Sequence, residues 1–450
     1  MTAPDAVLCG RMLIGGTLRY AEAGIADGRI CELGGHVGGG ERIELGMSMT
    51  VLPGFVDPHV HLRDPGMKWK EDFSTGTTAA VCGGVTAVLD MPNTSPPVTG
   101  IGALRDKKRA VAGRAYCDYG LFAALSPGCP VSLLAPYVCG FKLFMGSTTG
   151  NILLDDDAEI AQLMSEVSAV GRPVSVHAED DSRIAHGVEE ACCQDHLRNR
   201  PVEAELSALR RLSRFKDANR INICHCTTAE QIAAAKGLGF STEVALHHVL
   251  FDAQRYTSAL YKVNPPIRDP ASRNALRAAF LAGEADMVGT DHAPHTLGEK
   301  SGEFDAAPAG IPGVETTVPI LMDWAASGEV PLAQVSRMAS LRPAEYFGLN
   351  KGAIEVGRDA DFAIFDMRKS VLIDQSRLHS KAGYSPYGGM RAVFPDTVII
   401  RGAVQVREGE PCGDPVGKDQ FARLRGRLLR GCRAEGGMPK RVRHVLPVPA

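Results

Sequence analysis

The chain has 450 residues, enough for one large domain with an appendage or for two or three small ones. Apolar residues make up 44% and charged residues 22%, and a net charge of −3 leaves no footprint for nucleic acid or an acidic membrane surface. The 12 cysteines show no framework spacing, no leader-like segment opens the chain, and no apolar stretch is long enough to span a bilayer, so a reduced, cytoplasmic protein with free thiols is expected.

Residues 8 to 50 alternate apolar and polar around glycine turns ("RMLIGGTLRY", "AGIADGRICELGG"), which predicts antiparallel strands. Eight short apolar, β-branched runs then recur: "TVLPGFVD" (50–57), "VTAVLDM" (85–91), "YGLFAAL" (119–125), "GFKLFM" (140–145), "PVSVHA" (173–178), "INICHC" (221–226), "STEVAL" (241–246) and "ADMVGT" (285–290). Near-continuous apolar strands suit a parallel sheet covered on both faces. Helices are expected between them. "DDAEIAQLMSEVSAVG" has helical apolar spacing and ends at Gly171, a C-cap residue type, and "TAEQIAAAKGLG" follows Thr227 and Thr228, either of which can cap it. The crossover at 126–138 is short and carries Pro127, Pro130 and Pro136. Eight alternating units predict an α/β fold, a (β/α)8 TIM barrel. Residues 355 to 410 return to alternation ("RDADFAIFD", "DTVIIRGAVQVREGE"), so both chain ends are expected to meet in one small β-sandwich. The expected division is 1–52 and 351–430 for the sandwich, 53–350 for the barrel, and 431–450 for a basic, solvated tail.

The first barrel run leads into "DPHVHLRDPG". Side chains at i and i+2 of a strand share a face, so His59 and His61 aim two imidazoles at one point, and Pro58 suggests that the strand ends there. Chemistry in such barrels sits at the C-terminal strand ends. Lys142 lies in the fourth run, His177 ends the fifth, His225 the sixth, and Asp291 follows the eighth. One buried histidine is ordinarily a satisfied core residue. Nitrogen and oxygen ligands converging on one rim from separate strands point instead to a metal centre. Lys142 is costly to bury as an ammonium. Its neutral amine can add carbon dioxide to give a carbamate, an anionic ligand able to bridge two divalent ions; the bland alternative is an ion pair with an acid. Six ligands imply two divalent ions, zinc foremost, sharing a hydroxide that attacks a carbonyl. Asp291 would take the hydroxide proton and pass it to a leaving nitrogen. The reaction is then hydrolysis of an amide or its reversal.

The stretches "GFVDPHVHLRDPG", "EDFSTGTTAAVCGGVTAVLDMPNT", "GFKLFMGSTTGN", "VSVHAED", "ICHCTT", "VNPPIRD" and "GTDHAPHT" resemble the dihydroorotases of the amidohydrolase superfamily and together span the barrel. The resemblance implies reversible hydrolysis of (S)-dihydroorotate to N-carbamoyl-L-aspartate in de novo pyrimidine biosynthesis. It implies that Arg63, Asn93 and His295 hold the substrate carboxylate, that His61 also touches substrate, that Asn264 contacts the ring, and that the Ala309 and Gly310 backbone lies against it. Ordinary structural roles compete: Asn93 as a turn residue in "PNTSPP", and Arg63 paired with Asp64 or Asp72. The chain departs from the long bacterial type in two places. Lys142 stands where many members carry aspartate, and Ala309 stands where the pattern has an aromatic. The competing activities are those of allantoinases and hydantoinases, the latter lacking the arginine after HxH. A non-catalytic scaffold for an aspartate transcarbamoylase would have lost ligands, and all six are present here. A small-molecule substrate is expected, with a homodimer and an association with that transcarbamoylase left open.

Overall fold

The computed structural model describes residues 3–148, 150 and 152–421; the expected basic tail, and the end of the segment 351–430, lie outside the described residues. The first strands are β1 (Ala6–Ile14), β2 (Thr17–Ala26), β3 (Arg29–Gly34), β4 (Glu41–Glu44) and β5 (Met49–Pro53). The barrel strands are β6 (Phe55–Val60), β7 (Val85–Asp90), β8 (Asp118–Ala124), β9 (Gly140–Phe144), β10 (Val174–His177), β11 (Ile221–Ile223), β12 (Ser241–Val244) and β13 (Met287–Val288). After them come β14 (Phe362–Asp366), β15 (Val371–Leu372), β16 (Arg391–Ala392), β17 (Thr397–Ile400), β18 (Ala403–Arg407) and β19 (Glu410–Pro411).

The two chain ends form one nine-stranded sheet, in the order β19-β18-β17-β14-β5-β1-β2-β3 with β4 also on β1. Alternation in β1 sends Leu8 and Met12 into a core with Ile25, Val51, Phe362 and Ile399, while Val7 and Cys9 pack on Val37. The sheet is mixed, not purely antiparallel as the alternation suggested. Both β4 and β5 run parallel to β1, and β5 is antiparallel to β14. Strand alternation reports burial on one face and carries no information about the direction of the partner.

Each of the eight apolar runs overlaps one barrel strand, and β6 to β13 pair in chain order, all parallel. The ring closes through a Val60–His292 bridge and the His61 amide, which donates to the His292 carbonyl at 2.7 Å. The first run divides at Gly54. Its first half, β5, belongs to the other sheet, and a Cβ at Gly54 would overlap Thr86. Pro58 does not end β6; it falls inside a register shift between Asp57 and Val60, a place where a missing N–H costs no ladder bond. The last strand, β13, is only two residues long. Beyond it the Asp57 carboxylate takes the place of a strand neighbour, accepting from the amides of Thr290 and His59, each at 3.1 Å.

Helices fill the crossovers. Asp156 caps Asp157–Val170, which ends at Gly171 with φ of 66°, a conformation glycine adopts without cost. Of the two threonine candidates Thr228 is the cap of Ala229–Gly237, accepting from Gln231 N, whereas Thr227 bonds Glu205 and Arg268. The proline-rich crossover reduces to Val131–Leu134 and a 3-10 turn, Ala135–Tyr137. Phe141, Leu143, Val174 and Val176 join the helical residues Leu163, Met164 and Val167 in the main core. Each such fully buried aliphatic side chain contributes about 1.5–3 kcal/mol. The alternate positions Lys142, Ser175 and His177 therefore turn inward, with Lys142 beside Ser175 in register. No helix among the described residues is long and apolar enough to cross a membrane.

Candidate active site

The inward-facing polar residues meet at the C-terminal ends of the strands, around a small cavity. His59, His61, Lys142, His177, His225 and Asp291 all line it. His59 Nε2 and His61 Nε2 lie 3.4 and 3.1 Å from the same oxygen, Asp291 Oδ1. His177 Nδ1 faces His225 Nε2 at 3.1 Å. His225 and Asp291 have φ of 37° and 46°, and Arg63 has 58°. Side chains rarely occupy this left-handed region, at a cost on the order of 1–3 kcal/mol each, and such positions concentrate at functional sites.

A second layer orients the imidazoles. His59 Nδ1 donates to Glu243 Oε1 at 2.7 Å, and His61 Nδ1 donates to Asn93 Oδ1 at 2.6 Å. His177 Nε2 donates to Glu179 Oε2 at 2.7 Å, and Arg200 pairs with that oxygen at 2.6 Å. Each bond fixes the ring proton on the outer nitrogen and leaves the inner lone pair facing the cavity, the arrangement of a metal-binding imidazole. Burial pushes His61 down to about 3 and His225 well below its ordinary range. His59 goes the other way, up to about 10: burial and Lys142 push it down, but Glu243, Cys224 and Asp291 outweigh them. A cation between His59 and Asp291 would answer the same negative charge. The donor set thus fits divalent metal, and the ligand atoms of His59, His61 and Asp291 lie within 4.8 Å of one another.

Lys142 is fully buried, and its Nζ donates to Cys224 Sγ at 3.0 Å. It makes no ion pair with an acid among the described residues, so the bland alternative does not hold. Sequence reasoning passed over Glu243 and Glu179. Both were legible by the logic used for Lys142, because each is a charged residue in or just after an apolar strand. Gly289 matters for the same reason: a Cβ there would sit 2.6 Å from Glu243 Cδ.

The remaining expected residues gather on one side. Arg63, Asn93, Asn264, Ala309 and Gly310 line the cavity, joined by Phe144, Thr148 and Ala293. His295 is fully buried behind them, its Nε2 at 3.1 Å from Arg63 Nη2 and 3.0 Å from the Ala309 carbonyl. Arg63 is 2% exposed, and its Nε donates to the Pro294 carbonyl at 3.2 Å. Neither expected acid reaches it: Asp64 pairs with Arg114 at 2.6 Å and Asp72 with Lys381 at 2.6 Å. Asn264 Oδ1 accepts from His196 Nε2 at 2.8 Å. Gly310 has φ of 133°, and a Cβ there would meet the Ala293 carbonyl at 2.5 Å.

A rim of imidazoles, a carboxylate and a lysine at the strand ends of a (β/α)8 barrel defines the class: a barrel hydrolase. The profile of the amidohydrolase family matches residues 50–137 and 154–404. The dihydroorotases of Thermoplasma acidophilum and Pyrococcus furiosus are each 34% identical to this chain, over 92% of it and over 97% and 95% of their own lengths. The L-hydantoinase of Arthrobacter aurescens superposes with a TM-score of 0.85 at 25% identity, covering 92% of this chain and 98% of its own. The dihydropyrimidinase of Brevibacillus agri superposes at 0.82 with 26% identity, covering 93% and 99%. The chain belongs to the amidohydrolase family.

Proposed function

We propose that this enzyme is a dihydroorotase, catalysing reversible hydrolysis of (S)-dihydroorotate to N-carbamoyl-L-aspartate in pyrimidine biosynthesis. The observation that carries the reading is Arg63. A guanidinium 2% exposed, bordering the cavity and lacking an acidic partner among the described residues, calls for an anion. A substrate carboxylate supplies one, and the relatives named dihydroorotase support the activity proposed.

In this reading His59, His61, Lys142 as its carbamate, His177, His225 and Asp291 would hold two divalent ions, zinc by the donor set. Bound there, such ions supply Lewis acidity and lower the pKa of water. The protein does the rest. Arg63 binds the exocyclic carboxylate with His295 packed behind it, Asn93 holds His61, and Asn264 with the Ala309 and Gly310 backbone borders the ring. Asp291 accepts a proton on Oδ and returns it to the leaving ring nitrogen, so one carboxyl group serves both directions. We place the enzyme in the cytoplasm on its free thiols. A homodimer and an association with aspartate transcarbamoylase are assemblies that sizing experiments can test.

The hydantoinase and dihydropyrimidinase neighbours favour a second reading, a hydantoinase-type cyclic amidohydrolase. Rates on dihydroorotate, allantoin and dihydrouracil, with metal content on the same preparation, decide between them. Activity on dihydrouracil but not on dihydroorotate, with metals present, would overturn the proposal.

A further inference from the structure

A lysine outside the ligand set reaches the carboxylate end of the cavity. Lys70 lies in the loop between β6 and the helix Phe73–Cys82, and its Nζ is 2.9 Å from His295 Nδ1 and 2.9 Å from Glu299 Oε1. Glu299 is itself held: its other oxygen accepts from Thr296 N at 2.9 Å and from Thr296 Oγ1 at 3.0 Å. Paired to that carboxylate, Lys70 is an ammonium, which donates and cannot accept. His295 Nδ1 must therefore be the acceptor. The ring is neutral, because burial foremost, then Arg63, Lys70 and Lys300, hold its pKa well below the ordinary range. A neutral ring accepting at Nδ1 carries its proton on Nε2.

That tautomer changes the meaning of the contact with Arg63. Nε2–H donates to the Ala309 carbonyl at 3.0 Å, so the 3.1 Å approach of Arg63 Nη2 brings two donors together. The ring proton is taken by Ala309, so it is the Arg63 Nη2 N–H that finds no acceptor on the ring and is left for an anionic ligand. In the opposite tautomer Nε2 would accept from Arg63, and that Nη2 donor would be taken from the ligand.

We propose that Lys70 is a positioning residue: it locks His295 as the Nε2–H tautomer, whose one proton rests on the Ala309 carbonyl, so that the ring cannot accept from Arg63 and the Arg63 Nη2 donor is left for the substrate carboxylate. This inference rests on the reading that Arg63 binds that carboxylate.

The test is Lys70→Met in the metal-loaded enzyme, with Glu299→Gln as a milder variant that loosens the ammonium without removing it. Nitrogen-15 NMR of His295 should show Nε2–H in the wild type and a population of Nδ1–H in Lys70→Met. The KM for dihydroorotate should rise about tenfold or more, the size expected when a hydrogen bond from a charged donor is lost, with kcat moving less. Glu299→Gln should shift KM in the same direction. Lys70→Met added to His295→Ala should have no further effect, because Lys70 acts through that ring. An Nδ1–H tautomer in the wild type, or additive losses in the double mutant, would overturn the inference. A wild type inactive on dihydroorotate would instead overturn the functional reading, while the tautomer measurement would still decide the role of Lys70.

Discussion

Replacing Arg63 by lysine keeps the charge and changes its shape. The guanidinium donates from Nε to the Pro294 carbonyl while Nη2 sits beside His295, so one rigid fork is anchored at one end and presented at the other. A lysine puts its three donors on one atom and cannot hold the anchor and a substrate carboxylate in the same planar geometry. The backbone is not at issue, because any non-glycine residue meets the same φ of 58°. Losing a bidentate charged interaction should cost roughly 2–4 kcal/mol of transition-state binding, about 30- to 900-fold in kcat/KM. The assay is the ratio of kcat/KM on dihydroorotate to that on dihydrouracil, which lacks the carboxylate, with metal content measured alongside. Dihydroorotate activity should fall by that factor while the metals stay. An Arg63→Lys enzyme that keeps its kcat/KM on dihydroorotate would refute the assignment of Arg63 to the carboxylate.

Three further outcomes follow from the site. Protein purified without chelator should carry about two divalent ions per chain, and Lys142→Ala should lose metal and activity together, with partial recovery in small carboxylates or carbon dioxide-rich buffer; full activity at one ion per chain would contradict a bridging carbamate. Asp291→Asn should slow both directions by about 10²–10⁴-fold. In the wild type, hydrolysis needs the carboxylate and should rise with pH, whereas cyclisation needs the protonated acid and should rise as pH falls, with a midpoint belonging to the coupled site; profiles rising in parallel would exclude Asp291 as the shared acid–base. Gly289→Ala should force Glu243 off His59, since the new Cβ would lie 2.7 Å from Glu243 Oε1 and that carboxylate is also pinned by Asn222 at 3.0 Å. Metal affinity, measured against a competing chelator, should drop about 10- to 100-fold; unchanged affinity would mean that Glu243 does not support the ligand.

The sequence by itself determined what depends on neighbours along the chain. Period-2 alternation and apolar runs located the strands, because burial on one or both faces is written in local residue order. Gly171 and the Thr227–Thr228 pair marked helix ends, because a cap acts within one turn. The polar residues at strand ends could be assembled into one rim before any coordinates, because a parallel barrel brings all its C-terminal strand ends to one face. Tertiary structure alone decided which partner each group takes. Burial of both Asp57 and Pro58 turned an expected strand end into a bulge, and Gly54 split one apolar run between two sheets. The parallel seam of β4 and β5 on β1, the absence of an acid beside Arg63, and the pairing of Lys70 with His295 across more than 200 positions have the same origin. Hydrogen bonds and ion pairs reach about 3 Å in space at any separation in sequence, so their partners are fixed only when the chain closes on itself.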